Sequence, residues 1–400
     1  MVEERGFKKT LRDIYNDGIG SRDIGSNLSF NTTFGEGIVA QRHTEIVEQF
    51  QYNINTKTLS TTVANGGTVT QDDSMAVITS STAINGAAQL QTKKKLRYRP
   101  GHEGYGFFTA LWSSGGVAGA KQYIGLFNVT DGYFLGYNGT DFVVGRRKDS
   151  VDTTTSTLNG DPLFTEKFDP TKLNIFQITY GWLGTAPVNF YWMDSNGKWR
   201  LIHKMKLPNT LTGPSVTNPA LPVCVDITKT SGATSLIMKT ASWHAGISHD
   251  GDTEGDRRFT GTISATNVTT EVVLINFRNK STYASKTNQV RAVAEYMAAA
   301  SDGTKTGIIK IYKNLAIGGT PSWGDVDTTN SIMETDTAGT VTPSDANLLM
   351  AIPLGRQSSQ AIQDLGQLNF FLYPGETATI TGQSSANMDF IFTARWREEF

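Results

Sequence analysis

The sequence is poor in cysteine, in net charge and in long apolar runs, and each shortage excludes a class of protein. A single cysteine, Cys224, in 400 residues excludes an internal disulfide framework and a zinc site built from thiolates alone. Charged residues make up 18% of the chain and nearly cancel to a formal net charge of −1, which gives no electrostatic argument for a nucleic-acid or anionic-membrane partner. No apolar run approaches the roughly 20 residues of a membrane span, and Met1 to Lys9 lacks the apolar region of a secretory signal. We therefore expect a soluble protein without membrane insertion, made in a reducing cytoplasm.

Glycine and short alternating segments are abundant instead. Forty glycines and many Ser, Thr and Asn residues separate segments in which apolar and polar residues alternate, a pattern typical of strands joined by turns. Asn138-Gly139 between two such segments is a strong hairpin signal. The predicted strands include Met75–Thr79, Ala88–Thr92, Lys95–Arg99, Gly104–Trp112, Tyr123–Phe127, Gly132–Tyr137, Asp141–Gly145, Asn174–Trp182 paired with Val188–Met193, Trp199–His203, Glu271–Phe277, Gln289–Met297, Gly307–Tyr312, Leu348–Pro353, and a closing pair, Thr377–Gly382 with Asp389–Trp396.

These segments predict an all-β chain: two antiparallel β-sandwich domains of the jelly-roll, lectin-like kind, preceded by an N-terminal docking arm. The arm covers residues 1–45, the first sandwich 46–248 and the smaller second sandwich 249–400. The boundary lies in Ser248 to Arg258, which is polar and rich in Gly and Asp. Gln289 to Ala300 fits helical spacing and alternation alike, and the turn Ser301-Asp302-Gly303 that follows favours a strand.

The N-terminal arm carries one short amphipathic pattern. Phe7, Leu11, Ile14 and Tyr15 recur at helical spacing before a polar, glycine-rich stretch. The arm has too little apolar surface to fold alone. We therefore predict that these four residues are buried against a partner chain; an arm that lies along its own domain is the alternative.

Three groups of segments resemble a known class of proteins. They are Leu96–Phe108 with Asp131–Thr140; Asn174–Gly184 with His203, Lys204 and Asn209; and Phe277–Lys280 with Asn288, Pro374–Glu376 and Trp396–Phe400. Together they resemble the β-sandwich surface proteins of tailed-phage and some large DNA-virus particles, of the fibre, baseplate or capsid-decoration type. The resemblance implies a structural virion protein on the particle surface, often a homotrimer, that contacts other virion proteins.

One acidic segment has the spacing of a metal loop. Asp250, Asp252 and Glu254 with Gly255 match the first half of a calcium-binding loop, in which oxygens at alternate positions surround the cation. Position twelve is Gly261 rather than a bidentate Glu, so the pattern predicts weak Ca²⁺ binding at most. A solvated acidic linker is the alternative interpretation.

Catalytic motifs are missing from the sequence. No Gly-x-Ser-x-Gly elbow is present, and the second His of a zinc-protease motif is missing after His102-Glu103. A glycosidase needs two carboxylates that flank the bond, and the predicted strands carry almost no acids. We predict no catalytic and no cofactor-binding residues, and keep a polysaccharide-degrading enzyme only as the last alternative.

Aromatic residues on the strands provide the remaining lead. Trp112, Tyr133, Tyr137 and Trp182 could stack on sugar rings across a sheet, although burial in a two-sheet core is the alternative for all four. The leading functional hypothesis is a structural protein displayed on a virion, with host attachment through a surface glycan as the alternative.

Overall fold

The computed structural model describes residues 42–231, 234–248, 255–303, 305–356, 359–365 and 370–400. The chain divides into two compact units, Met1–Gly251 and Asp252–Phe400, called here the N-terminal and C-terminal units. The regular secondary structure of the described residues in both units is almost entirely antiparallel β-strand, so the predicted fold class is confirmed.

The N-terminal unit contains two large sheets. Strands are numbered in chain order. Sheet I has nine strands: β1 (His43–Gln49), β3 (Thr68–Asp72), β4 (Met75–Thr79), β6 (Gly104–Trp112), β11 (Asn174–Tyr180), β12 (Val188–Met193), β13 (Trp199–Met205), β15 (Ile237–Thr240) and β16 (Ser242–Ile247). Its order is β13-β12-β11-β6-β15-β4-β3, with β16 bonded to both β6 and β1.

Sheet II has seven strands: β2 (Leu59–Ala64), β5 (Ala87–Thr92), β7 (Ala120–Phe127), β8 (Gly132–Asn138), β9 (Asp141–Lys148), β10 (Val151–Thr155) and β14 (Val223–Lys229). Its order is β10-β9-β8-β7-β14-β5-β2. The Asn138-Gly139 hairpin forms as predicted, with Asn138 opposite Asp141 and Gly139 at a φ of +64°. Helix α1 (Pro162–Lys167) begins with Asp161 as its N-cap, whose carboxylate accepts from the Leu163 amide at 3.0 Å.

The core of the N-terminal unit contains one face of each sheet. Alternation places Phe108, Ala110 and Trp112 of β6 in the same apolar cluster as Ile124 and Leu126 of β7, among many others. Trp112 lies within aromatic contact of four rings, with centroid distances of 5.7 to 6.2 Å to Phe176, Phe142, Tyr137 and Phe168. Cys224 is fully buried.

One predicted strand of this unit is wrong. Lys95 to Arg99 forms no strand, and its single ladder contact is an isolated bridge between Leu96 and Leu221. Only Leu96 of this segment is buried. An alternating pattern favours extended backbone, but a strand also needs a continuous hydrogen-bonded neighbour, which the segment lacks.

The C-terminal unit also contains two large sheets. Sheet III consists of β17 (Asp256–Phe259), β18 (Ile263–Ala265), β22 (Ala292–Gly303), β29 (Ser359–Asp364), β30 (Phe371–Leu372) and β32 (Met388–Glu398). Sheet IV consists of β19 (Val272–Asn279), β23 (Gly307–Lys313), β25 (Gly324–Asp325), β26 (Met333–Asp336), β28 (Leu348–Leu354) and β31 (Thr377–Ser384). Two small ladders, β20 (Thr282–Tyr283) with β21 (Lys286–Thr287) and β24 (Ile317–Gly318) with β27 (Thr340–Val341), and a 3₁₀ turn (Asp345–Asn347) complete it.

The ambiguous stretch after Gln289 is a strand, β22, as predicted. The predicted closing pair is wrong, because the two last strands belong to different sheets. β31 pairs with β19 and β23 in sheet IV, whereas β32 pairs with β17, β18 and β22 in sheet III. The connection between β31 and β32 therefore crosses from one layer of the sandwich to the other.

Candidate functional site

Three of the four predicted sugar-stacking residues are core residues. Trp112 and Tyr133 are completely buried and Tyr137 is 8% exposed. The indole of Trp112 donates to the Gln122 carbonyl at 3.3 Å, and the Tyr133 hydroxyl bonds to Ser215 Oγ at 2.8 Å. Their rings pack between sheets I and II, so no ring face remains for a ligand, which corrects the prediction in favour of the core alternative.

Trp182, the fourth, is half-buried beside the same core. Its indole donates to the Val216 carbonyl at 3.2 Å, and its ring meets Tyr98 edge to face at 5.4 Å. The indole nitrogen of Trp182 is therefore hydrogen-bonded within the fold, and part of its ring is covered by Tyr98.

The other predicted sites lie outside the described residues. These are the weak calcium loop at Asp250, Asp252 and Glu254, and the docking residues Phe7, Leu11, Ile14 and Tyr15. Within the part of the chain that the structure describes, no group of three or more His, Cys, Asp or Glu side chains is arranged to hold a metal ion.

The outer face of sheet I brings together aromatic residues that the sequence did not single out. In one row across four strands, His244 is opposite Phe107, Phe107 opposite Gln177, and Gln177 opposite Tyr191. A second row contains Tyr105, Thr179, Asn189 and Lys204. Side chains directly opposite one another in a sheet project to the same side. We call the set Tyr105, Phe107, Tyr191, Trp199 and His244 the aromatic face.

Ring contacts connect four members of the aromatic face, which are Tyr105, Phe107, Trp199 and His244. Phe107 stacks on His244 at 4.6 Å with an interplanar angle of 15°, and meets Trp199 edge to face at 5.4 Å. Arg42 lies over Tyr105 at 5.0 Å and over Phe107 at 5.2 Å. Phe107, Tyr191, Trp199 and His244 are each half-buried and keep part of their surface in solvent.

A polar group at the centre of the aromatic face lacks a partner. Gln177, between Phe107 and Tyr191, is 1% exposed, and its Oε1 has no hydrogen bond among the described residues. A buried amide oxygen without a partner costs about 1–3 kcal/mol. A buried acceptor of this kind requires a donor from outside the fold, either a water molecule or a ligand.

The ionisable groups of the aromatic face are neutral at pH 7. Burial, with a smaller contribution from the Arg42 guanidinium, lowers the pKa of His244. Burial raises the pKa of the Tyr191 hydroxyl. A neutral imidazole offers one donor and one acceptor, and a phenol offers both as well, which suits a hydroxyl-rich ligand.

The outer face of sheet II is filled by its own side chains. Tyr123, Phe127, Phe134, Val143 and Cys224 form a separate buried cluster. The guanidinium of Arg147 lies over Phe127 and Phe134 at 5.2 and 5.7 Å. This face is therefore a second small core rather than an open surface.

Two carboxylates beside that cluster have opposite pKa shifts. Burial raises the pKa of Asp226 to about 6, although Arg147 and a 3.4 Å hydrogen bond from Gln89 oppose the shift. Burial acts in the same direction on Asp152, but hydrogen bonds from Arg147 and Lys121, at 2.7 and 2.9 Å, outweigh it and lower the pKa. Asp152 has both oxygens bound by cations, an arrangement typical of a structural ion pair.

The alternation in the sequence identifies the aromatic face only if it is known which face of each strand points into the core. Strand β6 carries aromatic rings on both faces, Tyr105 and Phe107 outward and Phe108 and Trp112 inward. The outward side is recognisable only through β11, where Gln177 and Thr179 alternate with the core residues Phe176 and Ile178.

The comparisons with known proteins concern the fold alone. No protein-family model matches this sequence, and no similar sequence was found among characterised proteins. Among solved structures, the chain is similar to the cellulose-induced protein Cip1 (15% identity, TM-score 0.33, covering 50% of this chain and 97% of Cip1). It is also similar to peanut lectin (13% identity, TM-score 0.35, covering 51% of this chain and 97% of the lectin). A third similar structure is lectin II from Ulex europaeus (10% identity, TM-score 0.34, covering 51% of this chain and 99% of the lectin). At these values the likeness carries no functional argument.

In the described part of the chain, no helix has the length and apolar character that a bilayer crossing requires.

Proposed function

We propose that this protein binds glycans through the aromatic face of sheet I. The observation that carries the proposal is the unpartnered Oε1 of Gln177, buried between Phe107 and Tyr191. Sugar sites combine ring faces, which pack on C–H surfaces, with polar groups that meet hydroxyls. The aromatic face offers half-buried rings, a neutral imidazole and an amide on one rigid sheet.

The central test combines binding with stability in one variant. Gln177→Leu keeps the size of the side chain and removes the unpaired amide oxygen. If the oxygen serves a ligand, the variant has an unchanged or higher melting temperature, because a buried unsatisfied group is gone, and it loses glycan binding. If the amide has a structural role, stability falls and binding follows it, which contradicts the proposal.

A glycan array with the purified protein identifies the ligand for that test. Trp199→Ala is expected to lower the affinity of each hit about tenfold, or about 1.4 kcal/mol, because a half-exposed ring is removed. Tyr52→Ala is the matched control, because it also removes an exposed ring: Tyr52 is 81% exposed. Tyr52 lies in the segment beside β3, which is at the opposite edge of sheet I from the strand that carries Trp199. Glycans that bind the Trp199→Ala and Gln177→Leu variants as tightly as the native protein would show that the aromatic face is not the binding site. We expect bound oligosaccharides to be recovered uncleaved.

We further propose that this binding takes place on a virus particle, where the chain is a structural component of the fibre, baseplate or capsid-decoration type. The sequence resemblance supports this location, with the residue 1–45 arm as the contact to other virion proteins and a homotrimer as the assembly. Mass spectrometry of purified particles should detect the chain, and light scattering should give three times its mass of 43.6 kDa. Deletion of residues 1–40 should abolish incorporation without unfolding either sandwich. A monomer absent from particles would overturn this part and leave glycan binding intact.

A further inference from the structure

In the described part of the C-terminal unit, one sheet face carries more arginines than acids. On the outer face of sheet III, Arg257 is opposite Arg397, and Phe259 is opposite Arg395. Arg395 is in turn opposite Tyr296 on β22. We call Arg257, Arg395 and Arg397, with the rings of Phe259 and Tyr296, the arginine patch. It is built on three adjacent strands, so its guanidinium groups project from a rigid support.

Three guanidinium groups share one carboxylate in this patch. Glu295 lies 3.2 Å from Arg257 Nε, 2.7 Å from Arg395 Nε and 3.7 Å from an Nη of Arg397. A carboxylate accepts one bidentate fork well, whereas each guanidinium carries five N–H donors. Glu295 therefore positions the three arginines without using most of their donors.

Within the residues that the structure describes, the neighbouring acids are fewer than the arginines. Arg397 also meets Glu399 at 3.2 Å, and Glu399 is shared with Arg291. Asp364 is opposite Tyr296 on β29. Among the described residues of this face, four arginines therefore lie near three acids, which are Glu295, Glu399 and Asp364.

The patch is open to solvent and has an aromatic wall. The Arg257 side chain is 57% exposed and that of Arg395 34% exposed. Phe259 is 55% exposed, and the Arg395 guanidinium lies between its ring and that of Tyr296, at 5.9 and 5.0 Å. Arginine forks match carboxylates, and an exposed ring beside them packs on a sugar face.

We propose that the arginine patch is a second binding site, for the carboxylate of an acidic saccharide such as a uronic acid. The guanidinium donors of Arg257 and Arg395 hold the carboxylate, and Phe259 packs on the sugar ring. This site is in a different unit from the aromatic face, and the proposal does not depend on glycan binding there.

Calorimetric titration of the full-length protein tests the site with three probes: trigalacturonate, its methyl ester and inorganic phosphate. Trigalacturonate should bind, more weakly as salt is raised, and the neutral ester and phosphate should bind at least tenfold more weakly. Arg257→Gln and Arg395→Gln should each lower the affinity for trigalacturonate about tenfold.

The controls come from both units. Arg278→Gln removes an arginine that stacks on Trp323 at 4.2 Å and has its own acid, Glu334, at 2.6 Å, so it should leave the affinity unchanged. Tyr52→Ala, in the N-terminal unit and outside the aromatic face, should also leave it unchanged. Absence of binding, equal binding of the ester, or equal binding of phosphate would each overturn the proposal, and so would an equal loss in Arg278→Gln.

Discussion

The two sandwiches share an antiparallel two-sheet architecture but differ in the kinds of side chain that fill their cores. The N-terminal unit is packed with rings, and Trp112 alone contacts four of them. Among the described residues, the buried apolar cluster of the C-terminal unit is mainly aliphatic and includes Met297, Ile309 and Ile311. Its ring contacts include Phe277 with Trp396 at 5.6 Å.

Buried polar networks accompany the aliphatic core. Asp336, 2% exposed, accepts from Asn276 at 2.9 Å and from three backbone amides at 2.7 to 3.1 Å. Glu398 is completely buried and accepts from Ser331 Oγ, the Ile332 amide and the Trp396 indole at 2.6 to 3.0 Å. Ring packing depends mainly on apolar surface, whereas these networks depend on direction and on charge, so the two units should respond differently to mutation and to pH.

The largest expected effect is the loss of the central ring of the N-terminal unit. Trp112→Ala should lower the free energy of unfolding of this unit by about 3–5 kcal/mol, because it leaves a cavity among four rings. Thiol labelling of Cys224 in increasing urea measures it, since the only cysteine of the chain is buried in this unit. A loss below about 1 kcal/mol would show that the rings repack.

One buried aspartate in each unit should contribute a pH dependence of opposite sign. Asp226 has a folded pKa of about 6, above the ordinary value, so its stabilising contribution is complete in acid and is lost as pH rises from about 4 to about 6. Asp226→Asn removes this loss. The urea midpoint of the N-terminal unit, again measured by Cys224 labelling, should therefore rise in the variant relative to the native chain as pH increases across this range. Midpoints that change with pH in the same way in both proteins would contradict the assignment.

Asp336 in the C-terminal unit should behave in the opposite way. Burial alone would raise its pKa, but the hydrogen bonds from Asn276 and the backbone amides outweigh burial and lower it. Its contribution is present above about pH 4 and is lost as pH falls through the folded pKa. Asp336→Asn should cost about 2 kcal/mol at pH 7 and progressively less as the pH falls below about 4, measured by urea unfolding followed by Trp fluorescence. A cost that does not depend on pH would show that the network acts by shape rather than charge.

The smallest effect should come from the second core of the N-terminal unit. Cys224→Ala removes one sulfur among Tyr123, Phe127 and Phe134 and should cost about 1 kcal/mol, measured by thermal unfolding. An increase in stability would show that this cluster is overpacked in the native chain.

Strand positions followed from the sequence where alternation and turn residues agreed. Strands β4 and β6 have the predicted bounds, and the pairing of β11 with β12 and the β8–β9 hairpin formed as expected. Lys95 to Arg99 failed because alternation carries no information about a neighbouring strand. The closing pair failed for a related reason, since two strands adjacent in sequence can belong to opposite layers.

The candidate sites depended more heavily on tertiary structure. Trp112, Tyr133 and Tyr137 were plausible sugar platforms until their faces turned out to be inward. The aromatic face needed the register of three strands to bring Gln177 between Phe107 and Tyr191. The arginine patch likewise needed three strands that are separated by many residues in sequence.

By itself, the sequence determined that this chain is built from short strands, because period-two alternation and turn-forming residues act over a few neighbouring residues. Only the tertiary structure decided which face of each strand is buried and which side chains meet across strands. Those outcomes depend on sheet order and register, which are set by contacts between residues far apart in the chain.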